Sequence, residues 1–377
     1  MIELNISASW RTLYIAGILG ALAPLMVNRG CAQTTAFILA ASPSVGHSPQ
    51  SIASTNLTGS GKPDLVCTTW GDNTLTVLTN DGSGGFALAA SPVVGSFPVA
   101  VTCADVNGDG WPDVICANYA DNTLSVLTNN GSGGFGLASS PAVGTHPLSV
   151  TTADVNGDGH VDLICANFAA NTLTVLTNNG TGGFGLASSP AVGNAPSAVT
   201  SADLNGDGKP DLICANTDGG TLTVLTNNGH GGFVLASSPV VGTAPQALTA
   251  ADVNGDGKMD LICANTGYNT LTVLTNGGNA RFVLAFALTV GPHPVSVVAA
   301  DVNGDNKLDL ITANYANNTL TVLTNTGAGG FALAATLAVG TAPQSVTAVD
   351  INGDNKVDLI DANYGDNSLS VLLNTSH

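Results

Sequence analysis

Eighteen of the chain's 25 aspartates fall in six nine-residue segments of one pattern, D-x-N-G-D-[GN]-x-x-D, at 105–113, 154–162, 203–211, 252–260, 301–309 and 350–358. Three carboxylates in one such turn repel by roughly 4 kcal/mol per close pair at an effective dielectric near 20. A hard divalent cation relieves that repulsion. Oxygen-only donors at alternating positions suit Ca2+ better than Zn2+ or Cu2+. Gly or Asn at the sixth position lets the chain bend into a positive-φ conformation. An EF-hand is excluded, because its bidentate twelfth-position Glu is replaced by Cys116, Cys165, Cys214 and Cys263 inside strand-like runs. Asp, Asn and Gly are also good turn formers, which explains one such loop easily and six with the same three acids poorly. A seventh segment, NLTGSGKPD at 56–64, keeps only Asp64, with Asn56, Thr58 and Ser60 in place of acids. No metal is expected there.

The elements that must position these loops recur with them. Asp105, Asp154, Asp203, Asp252, Asp301 and Asp350 are each 49 residues apart, and one step back from Asp105 lands on Asn56. Seven copies of one unit result. In the third copy, 149–153 leads into the aspartate loop, 163–166 is a short apolar run, 172–177 another, and Phe184 opens a fourth. Four short strands and no helical periodicity describe a blade, and apolar runs without clean alternation fit blades covered on both faces. The seventh copy ends after Ser368–Leu373 without its fourth strand, and an unpartnered copy of that strand stands at Phe37–Ser42. The expected fold is therefore all-β: a seven-bladed β-propeller of four-stranded antiparallel blades. The N-terminal strand pairs onto the last blade and removes two open edges.

Residues 1–32 read differently. Arg11 precedes an apolar run from Thr12 to Val27, and Gly30-Cys31-Ala32 suits signal-peptidase cleavage after Ala32. Sixteen residues interrupted by Pro24 are short for a membrane span. The expected organisation is a signal peptide at 1–32, a lead-in at 33–36 and one propeller at 37–377, in a secreted or cell-surface protein. A net charge of −18 argues against nucleic acid and against anionic lipid. Without the leader the charge is −19, and six Ca2+ would leave about −7.

At this point the chain resembles the FG-GAP or VCBS repeats of secreted propellers, such as the integrin α-subunit head and a mushroom propeller lectin. The resemblance runs from Phe37 to Asn374. It rests on the aspartate loop, then on "DLICAN", "NTLTVLTNNG" and "GGF". It implies that the side chains at loop positions one, three, five and nine, with the carbonyl of seven, hold Ca2+. In the second blade these are Asp105, Asn107, Asp109, Asp113 and the Trp111 carbonyl. The third and fourth blades match with Asp154, Asn156, Asp158, His160 and Asp162, and with Asp203, Asn205, Asp207, Lys209 and Asp211. The fifth has Asp252, Asn254, Asp256, Lys258 and Asp260, and the sixth Asp301, Asn303, Asp305, Lys307 and Asp309. The seventh has Asp350, Asn352, Asp354, Lys356 and Asp358. Phe-Gly itself stands only at Phe135-Gly136 and Phe184-Gly185, and Asn at position three lowers the charge of each loop.

Five cysteines, at 67, 116, 165, 214 and 263, share one repeat position, which Thr312 and Asp361 fill in the last two blades. They read as small buried hydrophobes, and a Cys103–Cys116 bridge within one hairpin is left open. The turn after "CAN" carries Trp70, Tyr119, Phe168, Tyr315 and Tyr364, with Asp72, Asp121 and Asp366 two residues on. The blade connections add His47, Phe97, His146 and His293. Both loop types are expected on the face opposite the aspartate loops, as a rim for a glycan or protein ligand or as rings packed over their own turns. No Ser-His-Asp or Cys-His arrangement can be assigned, and a unique cluster that breaks the sevenfold repetition is missing. The expectation is a monomeric, non-catalytic binding or adhesion module. The alternatives are a propeller domain of a carbohydrate-active enzyme such as a polysaccharide lyase, and a purely structural envelope protein.

Overall fold

A computed structural model describes residues 35–327 and 330–376; the expected leader, 1–32, lies outside them. The described residues form 28 strands, β1–β28 in chain order, and no helix. None of their elements is a helix long and apolar enough to cross a membrane.

The first strand, β1 (Phe37–Ala41), is followed by a blade made of β2 (Pro49–Thr55), β3 (Asp64–Thr69), β4 (Thr74–Asn80) and β5 (Phe86–Ala90). This up-and-down unit repeats as seven four-stranded sheets. The last sheet runs in the order β1, β28 (Ser368–Asn374), β27 (Asp358–Asn363), β26 (Pro343–Val349). Phe37 faces Asn374 and Ile38 faces Leu373 across that seam. The sequence-derived closure is therefore the observed one.

Burial follows strand position. The second strand is buried along its whole length in every blade, and the third over four consecutive residues. The outer strand is exposed at its middle three residues in β1 and β5. Apolar clusters lie between blades: Ile115, Ala117, Leu124 and Val126 of the second blade pack with Leu163, Cys165 and Leu176 of the third. Faces covered from both sides explain the unbroken apolar runs.

All six described cysteines are free thiols. Cys103 faces Val114 and Cys116 faces Val101, so the register sets the two apart. Cys67, Cys116, Cys165, Cys214 and Cys263 are buried to 1% exposure or less. Asp361 fills the same slot on β27 at 0% exposure, with neither carboxylate oxygen in a hydrogen bond. Burial pushes its carboxyl up to about 8.

Each blade connection ends in a residue with positive φ directly before a proline: Ser48, Phe97, His146, Ala195, Ala244, His293 and Ala342. In six of the seven, an Asn side-chain oxygen from the preceding blade's turn accepts that residue's N–H, as Asn73 does for Phe97 at 2.9 Å and Asn122 for His146 at 2.8 Å. The side-chain acceptor holds the chain in a conformation disfavoured for residues with a Cβ.

Candidate metal loops and aromatic rim

Each aspartate loop is wound around its own side chains. In the second blade Asp105 accepts from Gly108 N–H at 2.7 Å on Oδ1 and from Gly110 N–H at 2.8 Å on Oδ2. Asn107 Oδ1 accepts from Asp109 N–H, and Asp109 Oδ1 from Trp111 N–H, both at 2.9 Å. The third to seventh loops repeat this, from Gly157 on Asp154 to Gly353 on Asp350, each at 2.7 Å. In the last two loops Asn306 and Asn355 take the sixth position at φ 62 and 65 and keep the same bond.

The ninth position differs from the others. Asp113, Asp162, Asp211, Asp260, Asp309 and Asp358 are wholly buried at the start of the second strand. One oxygen accepts the N–H of loop position two and the other the N–H of the Asn ending the third strand. For Asp113 these are Val106 at 3.0 Å and Asn129 at 2.9 Å. Asp64 makes the same pair in the first blade, with Leu57 and Asn80. This acid therefore builds the blade whether or not the loop carries the other two. That role is absent from the sequence reading, and the signal was the survival of Asp64 in the worn copy.

Burial raises the carboxyls of the six ninth-position acids, backbone N–H donors pull them back, and the acids at positions five and one push them up again. Asp309 goes furthest, to about 6. The acids of a loop thus act on one another as unrelieved like charges. Among the described residues no three His, Cys, Asp or Glu side chains converge closely enough to hold an ion unaided. A complete ligand set therefore needs the Asn oxygen at three and the carbonyl at seven. Every donor in that set is a hard oxygen, and each carboxylate oxygen bonded once keeps a second lone pair. The residues fit a hard divalent cation on those terms.

The worn loop is closed differently. Thr58 Oγ1 donates to Asp64 Oδ2 at 2.8 Å, so a hydroxyl proton meets the ninth-position acid. Trp111 of the next blade lies over Gly59, where an added Cβ would stand 2.8 Å from the indole.

On the opposite face the rings gather in one sector. Trp70 stacks on Phe97 with centroids 4.8 Å apart and meets Tyr119 at 5.7 Å, and Tyr119 stacks on His146 at 4.4 Å. These four rings form one ladder across the first three blades. Tyr315 meets His293 at 6.0 Å, and Phe168 and Tyr364 are half-buried at the equivalent turns. The aspartates of this rim serve the backbone. Asp72 accepts from the His47 N–H and pairs with its ring, each at 2.7 Å, and these bonds hold its carboxyl below the usual range. Asp121 takes the Ser96 N–H at 2.7 Å and Asp366 the Thr341 N–H. They staple turn to connection, which the sequence alone did not reveal.

A ring of seven four-stranded blades, six of them with an aspartate loop between the first and second strands, is a repeat propeller. The chain belongs to the FG-GAP-like repeat family, whose model matches 56–116, 105–165, 154–214, 203–263, 252–312 and 301–360. Each match runs from one loop to the second strand of the next blade. No curated protein matches the chain. Solved structures similar to it include BBS1N in complex with ARL6DN, at 16% identity and TM-score 0.64 over 90% of this chain and 97% of that one. Virginiamycin B lyase from Staphylococcus aureus is similar at 15% identity and TM-score 0.62, covering 89% and 99%. A putative 6-phosphogluconolactonase from Bacteroides uniformis aligns at 16% and 0.63, covering 78% and 86%. At such identities the likeness is one of fold alone.

Proposed function

We propose that this chain is an exported, non-catalytic binding or adhesion module that holds Ca2+ in six structural sites and engages an extracellular glycan or protein. The observation that carries the reading is the contrast among the loops. Where the acids at positions one and five are lost, the Thr58 hydroxyl meets Asp64. Where they are kept, the ninth-position acid meets only backbone N–H donors, as Asp113 does with Val106 and Asn129, while two further carboxylates share its loop. A cation would supply the missing positive charge and fix each loop against its blade. The residues that would hold it are those at positions one, three, five and nine with the carbonyl of seven. The ladder of Trp70, Phe97, Tyr119 and His146 supports a ligand face in one sector, since a cluster of half-buried rings around an exposed Phe97 suits sugar rings or apolar peptide groups. Phe97, 42% exposed, holds its strained backbone where three other blades use alanine.

A glycan array read with and without calcium, beside a melting curve in each condition, tests the proposal. Calcium-raised melting with array binding lost in Trp70→Ala/Tyr119→Ala supports it. Melting indifferent to a chelator removes the metal, and a blank array with calcium-dependent melting leaves only a structural role.

A further inference from the structure

We propose that the side chain at the seventh loop position sets each loop's cation affinity, so that the loops of Lys258 and Lys307 bind Ca2+ more weakly than those of Trp111 and His160. The inference rests on the reading of the loops as Ca2+ sites.

All five lysines of the chain, at 62, 209, 258, 307 and 356, stand at this one position. The side chain there has two seats. One lies over the glycine turn that joins the third and outer strands of its own blade. A Cβ added at Gly131 would come 2.4 Å from the Trp111 ring, at Gly180 2.6 Å from His160, and at Gly229 2.8 Å from Lys209. At Gly278 and Gly327 the nearest lysine carbons have withdrawn to 3.8 and 3.9 Å.

The second seat is the carboxylate at position five. Lys209 Nζ stands 3.8 Å from Asp207 Oδ2, Lys258 Nζ 3.1 Å from Asp256 Oδ2, and Lys307 Nζ 2.7 Å from Asp305 Oδ2. The series runs in step, each lysine reaching its acid as it leaves the turn. An ammonium on that oxygen cancels one of three formal charges and fills a lone pair of an expected ligand. Calcium affinity follows the charge of the ligand set, so the paired loops are the weaker ones. Trp111 contributes no charge, and the His160 ring sits over Gly180 and forms no ion pair with Asp158 among the described residues.

Calorimetric titration of the chain with CaCl2 at pH 8 tests this. Two classes of site are expected. In Lys258→Met/Lys307→Met the weak class should tighten by about two- to fivefold, the scale of an exposed ion pair. Lys258→Arg/Lys307→Arg should leave the isotherm unchanged, and His160→Lys should move one site out of the tight class. Both lysines are exposed by more than two fifths, and a melt of each variant in EDTA checks that the fold is kept. One uniform class, or an isotherm indifferent to the methionine pair, overturns the inference while leaving the sites intact. Absence of calcium binding in every loop overturns the Ca2+ reading itself.

Discussion

Asn129 of the second blade donates its side-chain N–H to the carbonyl of Leu57 in the first, at 2.9 Å. The same bond joins Asn178 to Val106, Asn227 to Val155, and onward around the ring to Asn80 and Ile351, at 2.7 to 2.9 Å. A second bond ties each Asn to its own loop, as Asn129 to the Pro112 carbonyl at 3.0 Å. Serines of the first strands add further inter-blade bonds, such as Ser51 Oγ accepting the Val101 N–H. Every loop is thereby locked to the next blade as well as to its own.

Replacing Asn129 with Ala strands the Leu57 and Pro112 carbonyls. A loss of about 1–3 kcal/mol is expected, the scale of a buried group left unsatisfied. Urea unfolding measures it. Asn129→Asp should be no milder, because it lacks both N–H donors.

Calcium and pH should oppose each other. With chelator present, folded Asp309 keeps its proton up to about pH 6, while the unfolded chain releases it near 3.9. Metal-free stability therefore falls as pH rises from about 4 to 6. Ca2+ needs the deprotonated acids, so its stabilisation weakens as pH falls through that window. The calcium-induced rise in melting temperature should be larger at pH 7.5 than at 5. An equal rise at both values contradicts the assignment.

Asp361 limits the closing blade. Its carboxyl titrates near 8 when folded, so it contributes a fall in stability from about pH 4 to 8, where only the unfolded chain loses the proton. Asp361→Cys, which installs the residue of five other blades, should add about 1–3 kcal/mol at neutral pH. It should also flatten that slope in chemical denaturation.

The closing strand should be transferable. A chain beginning at Val45 lacks β1, exposes the edge of β28, and should aggregate or melt well below the parent. Appending Phe37–Ser42 after a short glycine linker at the C-terminus should restore most of the melting temperature. Failure to restore it would mean that the seam depends on more than strand pairing.

Blade number, loop positions and ring closure were legible because a 49-residue period shows what each unit contains, and the truncated copy shows what it lacks. The bonds between units were not. Asn129 and Leu57 are 72 residues apart, so nothing in either blade's own sequence pairs them. Asp72, Asp121 and Asp366 read as rim acids because a turn aspartate looks the same whether it faces solvent or a backbone N–H 25 residues away. The ring ladder was half visible: the aromatic positions stood out, but their stacking across three blades depends on how neighbouring turns lean together.

The seam between β1 and β28 gives the molecule a mechanical weak point. Phe37 and Asn374 face each other at one end of that antiparallel pair. Tension applied at these two residues peels the ladder one hydrogen bond at a time rather than shearing it all at once. The first rupture should come at low force. Each later blade should then lengthen the tether by roughly 170 Å, the extended reach of 49 residues at about 3.4 Å each, making the chain a ratchet of equal steps under load.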